Sequence, residues 1–415
     1  MTLKTIFALC AATAMALPAQ ETFTTLHSFD STDGANPGVV LIEATNGALY
    51  GTASSFGANG AGTVFKMTPG GTLTTVYNFC SESGCMDGVL PEAGLLQATS
   101  GDFYGTTNGG GLGYGTVFKI TPGGTLTTLY SFCSQSGCAD GAFPVAGLLQ
   151  TADGNLYGIT LSGGRPADGG TVFEITPTGR LTTMHKFCSQ NDCTDGSNPL
   201  AALVEATDGD LYGTTSGGGT SDLGTVFKIT RSGTLTTLHS FDRTDGSAPG
   251  AVLAQGTDGN FYGTTNSGGA RGYGTIFEMA PSGTLATLHS FCEHLGCTDG
   301  RNPEAGLMQA TNGTFYGTAS FGGANQDGTV FNFSVGLGAF VKTQPARGEV
   351  GAAIGILGTD LTGATSVSFN GTVAAFTVVS GSEIITAVPV GATTGTVQVV
   401  TPSGTLSSNV PFRVP

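Results

Sequence analysis

Short apolar runs alternate with Gly- and Pro-bearing breaks along most of the chain, at the spacing of β-strands rather than helices. Residues 93–98 (Ala-Gly-Leu-Leu-Gln-Ala) form one such run. Ser100-Gly101 marks a turn, and Asp102 to Thr107 makes a second run around Tyr104. A glycine-rich stretch, Gly109 to Gly113, precedes a third run, Gly115-Thr116-Val117-Phe118-Lys119-Ile120. Pro122-Gly123-Gly124 turns the chain again, and Thr125 to Phe132 follows. Val117, Leu126 and Leu129 are strand-formers at near-alternating places, so the segment predicts four antiparallel strands. Other segments carry Asp153-Gly154, Asp208-Gly209 and Asp258-Gly259 at the first turn, a strong hairpin signal.

The unit recurs. Its Tyr-Gly pair stands at Tyr50, Tyr104, Tyr157, Tyr212, Tyr262 and Tyr316, at intervals of 54, 53, 55, 50 and 54 residues. A period near that length predicts a stacked or circular array, and four antiparallel strands per unit match a β-propeller blade. The ends choose between ring and row. The first three strands occur six times, ending at Gly328-Thr329-Val330-Phe331, but the fourth follows only five of those triplets. The missing copy stands at the start, as Thr22 to Phe29. A strand at one end that completes the unit at the other predicts an all-β, six-bladed β-propeller closed by the N-terminal strand.

Cysteine usage follows the same phase. Cys80/Cys85, Cys133/Cys138, Cys188/Cys193 and Cys292/Cys297 each form a Cys-x4-Cys pair just after the fourth strand. The two remaining copies replace this ten-residue form with the shorter "FDSTDG" and "FDRTDG", which accounts for the one short interval. Four local disulfides are expected, each closing its own loop. Zinc is the rival; it needs pairs from different units to converge, and no His accompanies each pair at ligand spacing.

The meander gives a direction to any site. The one-to-two and three-to-four turns are short, whereas the two-to-three and four-to-one connections are long. The long sets therefore share one face, and loops on a rigid scaffold are where binding concentrates. Candidate binding residues there are Asp33, Asp87, Asp140, Asp195, Asp245 and Asp299, each preceding a Gly. Their presence in every unit favours a turn role, with the side chain bonded to local amides. Glu92 and Glu304 follow a Pro at the start of the first strand in two units and are the candidate acid–base pair. His27, His185, His239 and His289 share one fourth-strand position with Tyr77 and Tyr130, which predicts an aromatic slot. The Tyr of Tyr-Gly-Thr and the Phe of Gly-Thr-Val-Phe are expected in the core between units. No Gly-x-Ser-x-Gly, Walker, His-Glu-x-x-His or EF-hand pattern occurs, and no catalytic residue, cofactor or metal site is assigned.

Composition narrows the setting. Lys4, an apolar run from Ile6 to Leu17 and small residues to Ala19 read as a secretory leader over residues 1–19. Apart from Cys10, which lies in that run, the cysteines are even in number, as an oxidising compartment favours. A net charge of −15 argues against nucleic acid and anionic lipid as partners. No later run has the length and apolarity of a transmembrane segment. The absence of Trp weakens the expectation of a sugar-stacking platform.

After Phe333 the repeat stops. Val367, Phe369, Val378, Ile384, Val388, Val397 and Val399 mark short strands, and Asn370-Gly371 and Gly391 mark turns, which suits a small β-sandwich over 337–415. The run from Gly355 through "VSFNGT" and "VPVGATTG" resembles the IPT/TIG immunoglobulin-like domain, which implies an Ig-like spacer or interaction module. The elements "LYGTTSGGGTSDLGTVFKIT" and "GTLTTLHSF" within 20–336 resemble the GloVer-type choice-of-anchor tandem repeat. That resemblance implies a secreted or surface-anchored bacterial protein of no established activity. The chain ends in Phe412-Arg413-Val414-Pro415 rather than a hydrophobic sorting tail, so release or non-covalent attachment is expected.

Two functional readings follow. The first is a non-enzymatic extracellular binding or adhesion protein that presents its loop face to a glycan or protein. The second is a polysaccharide hydrolase or lyase, with a structural envelope protein behind it. The sequence leaves the ligand and the oligomeric state open.

Overall fold

The computed structural model describes residues 25–38, 41–44, 47–98, 100–151, 153–165 and 168–414. The expected leader lies outside the described residues. The described chain is all-β apart from 3-10 turns at Ser83–Cys85, Ser136–Cys138 and Asn191–Cys193. None of its helices is long and apolar enough to cross a membrane.

Repeated antiparallel sheets account for the N-terminal three quarters. In the second, Leu96–Gln97, Phe103–Thr107, Thr116–Ile120 and Leu126–Ser131 pair in chain order. The first strand is only two residues long, shorter than its apolar run suggests. Tyr104 lies opposite Lys119 and Gly105 opposite Phe118. The fourth strand is bulged: Val117 pairs with Tyr130 but Phe118 pairs with Thr128, leaving Leu129 as the extra residue. The same shift occurs in the other four complete sheets. It turns the next side chain, Tyr or His, toward the loop beyond.

Phenylalanines join one sheet to the next. Phe79 packs edge-on against Phe118, Phe132 against Phe173, Phe187 against Phe227, Phe241 against Phe277 and Phe291 against Phe331, with centroids 5.1–5.4 Å apart. Such pairs add about 1 kcal/mol to their area burial. The Tyr-Gly tyrosines add a second layer: Tyr50 lies 4.2 Å from Phe103, and Tyr262 lies 4.3 Å from Phe315. The glycine is there for the same core. A Cβ on Gly105 would sit 2.5 Å from Phe118 Cζ, so close approach, not an unusual dihedral, requires Gly.

The last repeat sheet has three strands, Met308–Gln309, Phe315–Ala319 and Thr329–Phe333. Among the described residues no strand pairs with its outer edge. Val330 there is 79 % exposed, whereas its counterpart Val117 is fully buried. Residues 22–24 of the expected closing strand lie outside the described residues. Residues 25–29 form no ladder, yet they lie against the first sheet as a fourth strand does. Phe29 packs on Phe65 with centroids 5.2 Å apart. The Leu26 carbonyl faces Gly71 as the Val76 carbonyl faces Gly124.

Beyond the repeats, two four-stranded sheets share one core. One orders Lys342–Gln344, Ala353–Leu357, Glu383–Ala387 and Phe376–Ser380; the other orders Thr372–Ala374, Ser366–Phe369, Val397–Thr401 and Gly404–Ser407. Ile354, Ile356 and Ile384 from the first meet Val367, Phe369, Val397 and Val399 from the second, all essentially inaccessible.

Candidate functional site

The two long sets of loops lie together. Gly111 N donates to the Cys85 carbonyl at 2.9 Å, and Gly164, Gly219 and Gly323 do the same to Cys138, Cys193 and Cys297. In the short loops Ser31 and Arg243 replace the second cysteine as acceptors for Gly57 and Gly269. The longer form keeps this contact and closes on itself through disulfides Cys80–Cys85, Cys133–Cys138, Cys188–Cys193 and Cys292–Cys297. A covalent loop of that length stabilises by about 2 kcal/mol in the chain-entropy model. Four such bonds fit a non-cytoplasmic protein.

The six candidate aspartates all have local partners. Asp87 accepts from Tyr77 Oη (2.8 Å), Ser81 N, Ser81 Oγ and Glu82 N. Asp140 accepts the equivalent bonds from Tyr130, Ser134 and Gln135. In the remaining units a His takes the tyrosine's place: His27 Nε2 lies 2.6 Å from Asp33, His185 3.0 Å from Asp195, His239 2.7 Å from Asp245 and His289 3.1 Å from Asp299. The slot is therefore more than aromatic. It takes a ring with a polar atom at its tip, which ties the fourth strand to the loop that follows. Burial works against the charged form of Asp87 and Asp195, but hydrogen bonds outweigh it and hold both carboxyls below the usual value. In return, burial and Asp87 push the Tyr77 hydroxyl up to about 12.

Glu92 and Glu304 do not come together. Glu92 accepts from Asn108 Nδ2 at 2.6 Å, while Glu304 accepts from Asn266 and Ser320. No hydrogen bond or ion pair among the described residues joins them. Nor is any group of three or more His, Cys, Asp and Glu among those residues placed to hold a metal ion.

A further space lies at the opposite end, beside the short turns. It is a cleft of about 660 Å3. The first strands of four successive units line it, through Ile42, Leu96, Leu149 and Val204 and the residues after them, Glu43, Gln97, Gln150 and Glu205. Convergence of these strands on one cavity makes the array propeller-like, with the first strands innermost. The later units hold Gln255 and Gln309 at the same position. Gln255 accepts from Thr207 N and Gln309 donates to Thr257 Oγ1, so each of these amides reaches back to the preceding unit. The sequence reading missed this ring. Its signal was present, since every first strand ends in Glu or Gln, but such a residue looks like an ordinary exposed strand end.

The C-terminal unit covers the cleft. Phe340 N donates to the Thr311 carbonyl at 2.9 Å, and Thr311 Oγ1 meets Thr359 Oγ1 at 3.0 Å, both at a short turn of the last repeat. Lys342 Nζ donates to the Gln309 carbonyl. Gln344 Nε2 donates to Glu43 at 3.1 Å, and Arg413 meets Glu205 at 2.6 Å. Glu205 is shared with Arg231, 2.7 Å away, whose guanidinium also lies over the Tyr157 ring. Arg347 donates to Gln150 Oε1 at 3.2 Å and to the Gln97 carbonyl at 2.6 Å. Pro345, Ala346, Val410 and Pro411 complete an apolar wall. Burial pulls the Lys342 and Arg347 pKa values down, and the nearby Arg413 charge adds to the effect on Arg347.

The geometry defines a repeat protein of propeller-like, four-stranded sheets around a covered cleft. The chain belongs to the Gloeobacter/Verrucomicrobia repeat family, whose model matches residues 12–207 and 189–379. A comparison with curated proteins gives no match. Among solved structures, the periplasmic gluconolactonase of Pseudomonas aeruginosa is similar at 16% identity over 85% of this chain and 89% of that one, with a TM-score of 0.44. A gluconolactonase from Xanthomonas campestris is similar at 12% identity over 70% and 85%, with a TM-score of 0.41. An auxiliary nutrient binding protein from Bacteroides thetaiotaomicron is similar at 12% identity over 72% and 70%, with a TM-score of 0.42.

Proposed function

We propose that the protein is a secreted small-molecule binding protein whose ligand seat is the cleft between the repeat array and the C-terminal unit. The observation that carries this reading is the cleft itself: about 660 Å3, with apolar walls and a few polar groups that converge from two parts of the chain. Ligand sites have that size and that mixture. In this reading residues 1–19 are a leader, 20–336 a six-bladed propeller and 337–415 an Ig-like, IPT/TIG-type cap. The N-terminal strand would close the ring by pairing with Thr329–Phe333, which would set Val330 opposite His27 in the way that Val64 stands opposite Tyr77. The Phe29–Phe65 contact and the exposed edge at Val330 support that closure. The common core of the two C-terminal sheets supports the cap.

The test uses the neutral fluorescent probe N-phenyl-1-naphthylamine. Wild-type protein binds it with saturable enhancement, and Leu149→Trp, which fills the cleft, abolishes the signal while circular dichroism is unchanged. Equal enhancement in both proteins overturns the reading. A second reading keeps a glycan or protein ligand on the loop face, favoured by the exposed rings of Phe56, Tyr114, Tyr273 and Phe321.

A further inference from the structure

Resting on the cleft as the binding site, we propose that its ligand is a small organic carboxylate with an apolar body, seated through its carboxylate on Arg347. The charges that line the cleft are not equally provided for. Glu205 lies between Arg413 and Arg231, at 2.6 and 2.7 Å. Glu43 is exposed at the rim and accepts the Gln344 amide. Arg347 is half-buried, and both its partners, Gln150 Oε1 and the Gln97 carbonyl, are neutral. Among the described residues no carboxylate comes within 4.0 Å of it.

A guanidinium has five N–H donors, and these two bonds leave three for a ligand. The main chain holds Arg347 beside Arg413 through the bond from Arg413 N to the Ala346 carbonyl, so two positive groups sit side by side with one carboxylate between the pair and Arg231. A half-buried cation without a counter-charge is an unfavourable arrangement that an incoming anion relieves. A planar carboxylate matches the fork of the guanidinium in geometry as well as sign. The rest of the ligand is set by the wall. Ile42, Leu96, Leu149 and Val204 repeat one apolar position around the cleft, and Pro345 and Pro411 face them from the cap. An alkyl or aromatic body buries there, whereas a polyol leaves its hydroxyls without partners on that surface.

The experiment displaces bound N-phenyl-1-naphthylamine from the mature full-length protein with octanoate and, separately, with 1-octanol. Wild type is expected to prefer octanoate by about ten-fold, as a desolvated charge pair provides. R347Q loses that preference and keeps octanol binding, and R347K retains part of the preference. Equal affinities in wild type, or an unchanged preference in R347Q, overturn the carboxylate inference and leave the cleft reading standing. If R347Q also weakens octanol, R347K decides: a retained preference supports the inference and a lost one overturns it. Failure of the probe to bind a cleft that Leu149→Trp fills removes both.

Discussion

Replacing Tyr130 and Asp140 one at a time tests whether the Tyr/His–Asp tie holds each loop. Asp140 is fully buried and accepts from Tyr130 Oη at 2.8 Å, Ser134 N at 2.9 Å, Ser134 Oγ at 2.9 Å and Gln135 N at 3.2 Å. Tyr130→Phe removes one of these bonds and leaves the ring, its contact with Phe132 and three donors to the carboxylate in place. A hydrogen bond to a charged acceptor contributes about 1.5–3 kcal/mol, and the partly exposed hydroxyl puts this one at the low end, about 1.5 kcal/mol. Asp140→Ala removes all four acceptor bonds and leaves two backbone N–H groups unpaired in a closed loop, at a cost of about 3–5 kcal/mol. Tyr130→His is the informative third variant. His185 occupies the same place and reaches Asp195 at 3.0 Å, so this exchange costs less than Tyr130→Phe. Urea unfolding midpoints at pH 7 rank the three. Were Tyr130→His to cost more than Tyr130→Phe, the slot would select ring shape and not the polar tip, and the reasoning would be refuted.

Acid should act on the same loops. Hydrogen bonds overcome burial to lower the Asp87, Asp195 and Asp299 carboxyls in the folded chain, so their contribution is complete above the ordinary carboxyl value and is lost as pH falls through the lowered ones. The thermal midpoint is expected to hold from about pH 7 to 5 and to fall below about pH 4, with a smaller fall in Asp195→Asn; an equal fall in that variant contradicts the assignment. In the core, Gly158→Ala would place a Cβ 2.5 Å from Phe173 Cζ and 2.8 Å from Leu148 Cδ2. Overpacking of that kind costs about 1–3 kcal/mol, read as a lower urea midpoint, and a midpoint within error of wild type would show that the Phe ring moves freely.

Most of the scaffold was legible because each of its determinants is local. Val117, Leu126 and Leu129 spell strands, Pro122-Gly123-Gly124 spells a turn, and Cys-x4-Cys pairs close within a single loop. The meander argument about the long loops needed only strand order, and the Gly111–Cys85 bond is its physical form. The bulge at Leu129 was hidden, because one extra residue in a strand changes neither composition nor punctuation. The His/Tyr position was read only for its ring. What the two side chains also share is a polar atom at similar reach, and that matters only once Asp140 or Asp195 is known to stand opposite.

The cleft was illegible for a different reason, and that reason bears on how a regular array acquires a specific site. Strand ends about fifty residues apart make the ring, so no single window of sequence contains it. A ring with one residue type at every position offers the same chemistry all the way round and cannot orient a ligand. Asymmetry enters at two levels. Within the ring, the first and fourth units carry Glu43 and Glu205 where the others carry Gln. Those two carboxylates accept from Gln344 and Arg413, so they anchor the cap in one rotational setting. Once set, the cap presents Arg347 to the Gln side chain and carbonyl of the second and third units, between the two anchors. The repeats supply the wall and the register, and the non-repeating unit adds a cation on one side of it. In the proposed reading, exchange of Glu205 for Gln therefore acts first on how the cap is seated and only through that on what the cleft holds, whereas exchange of Arg347 acts on the ligand directly.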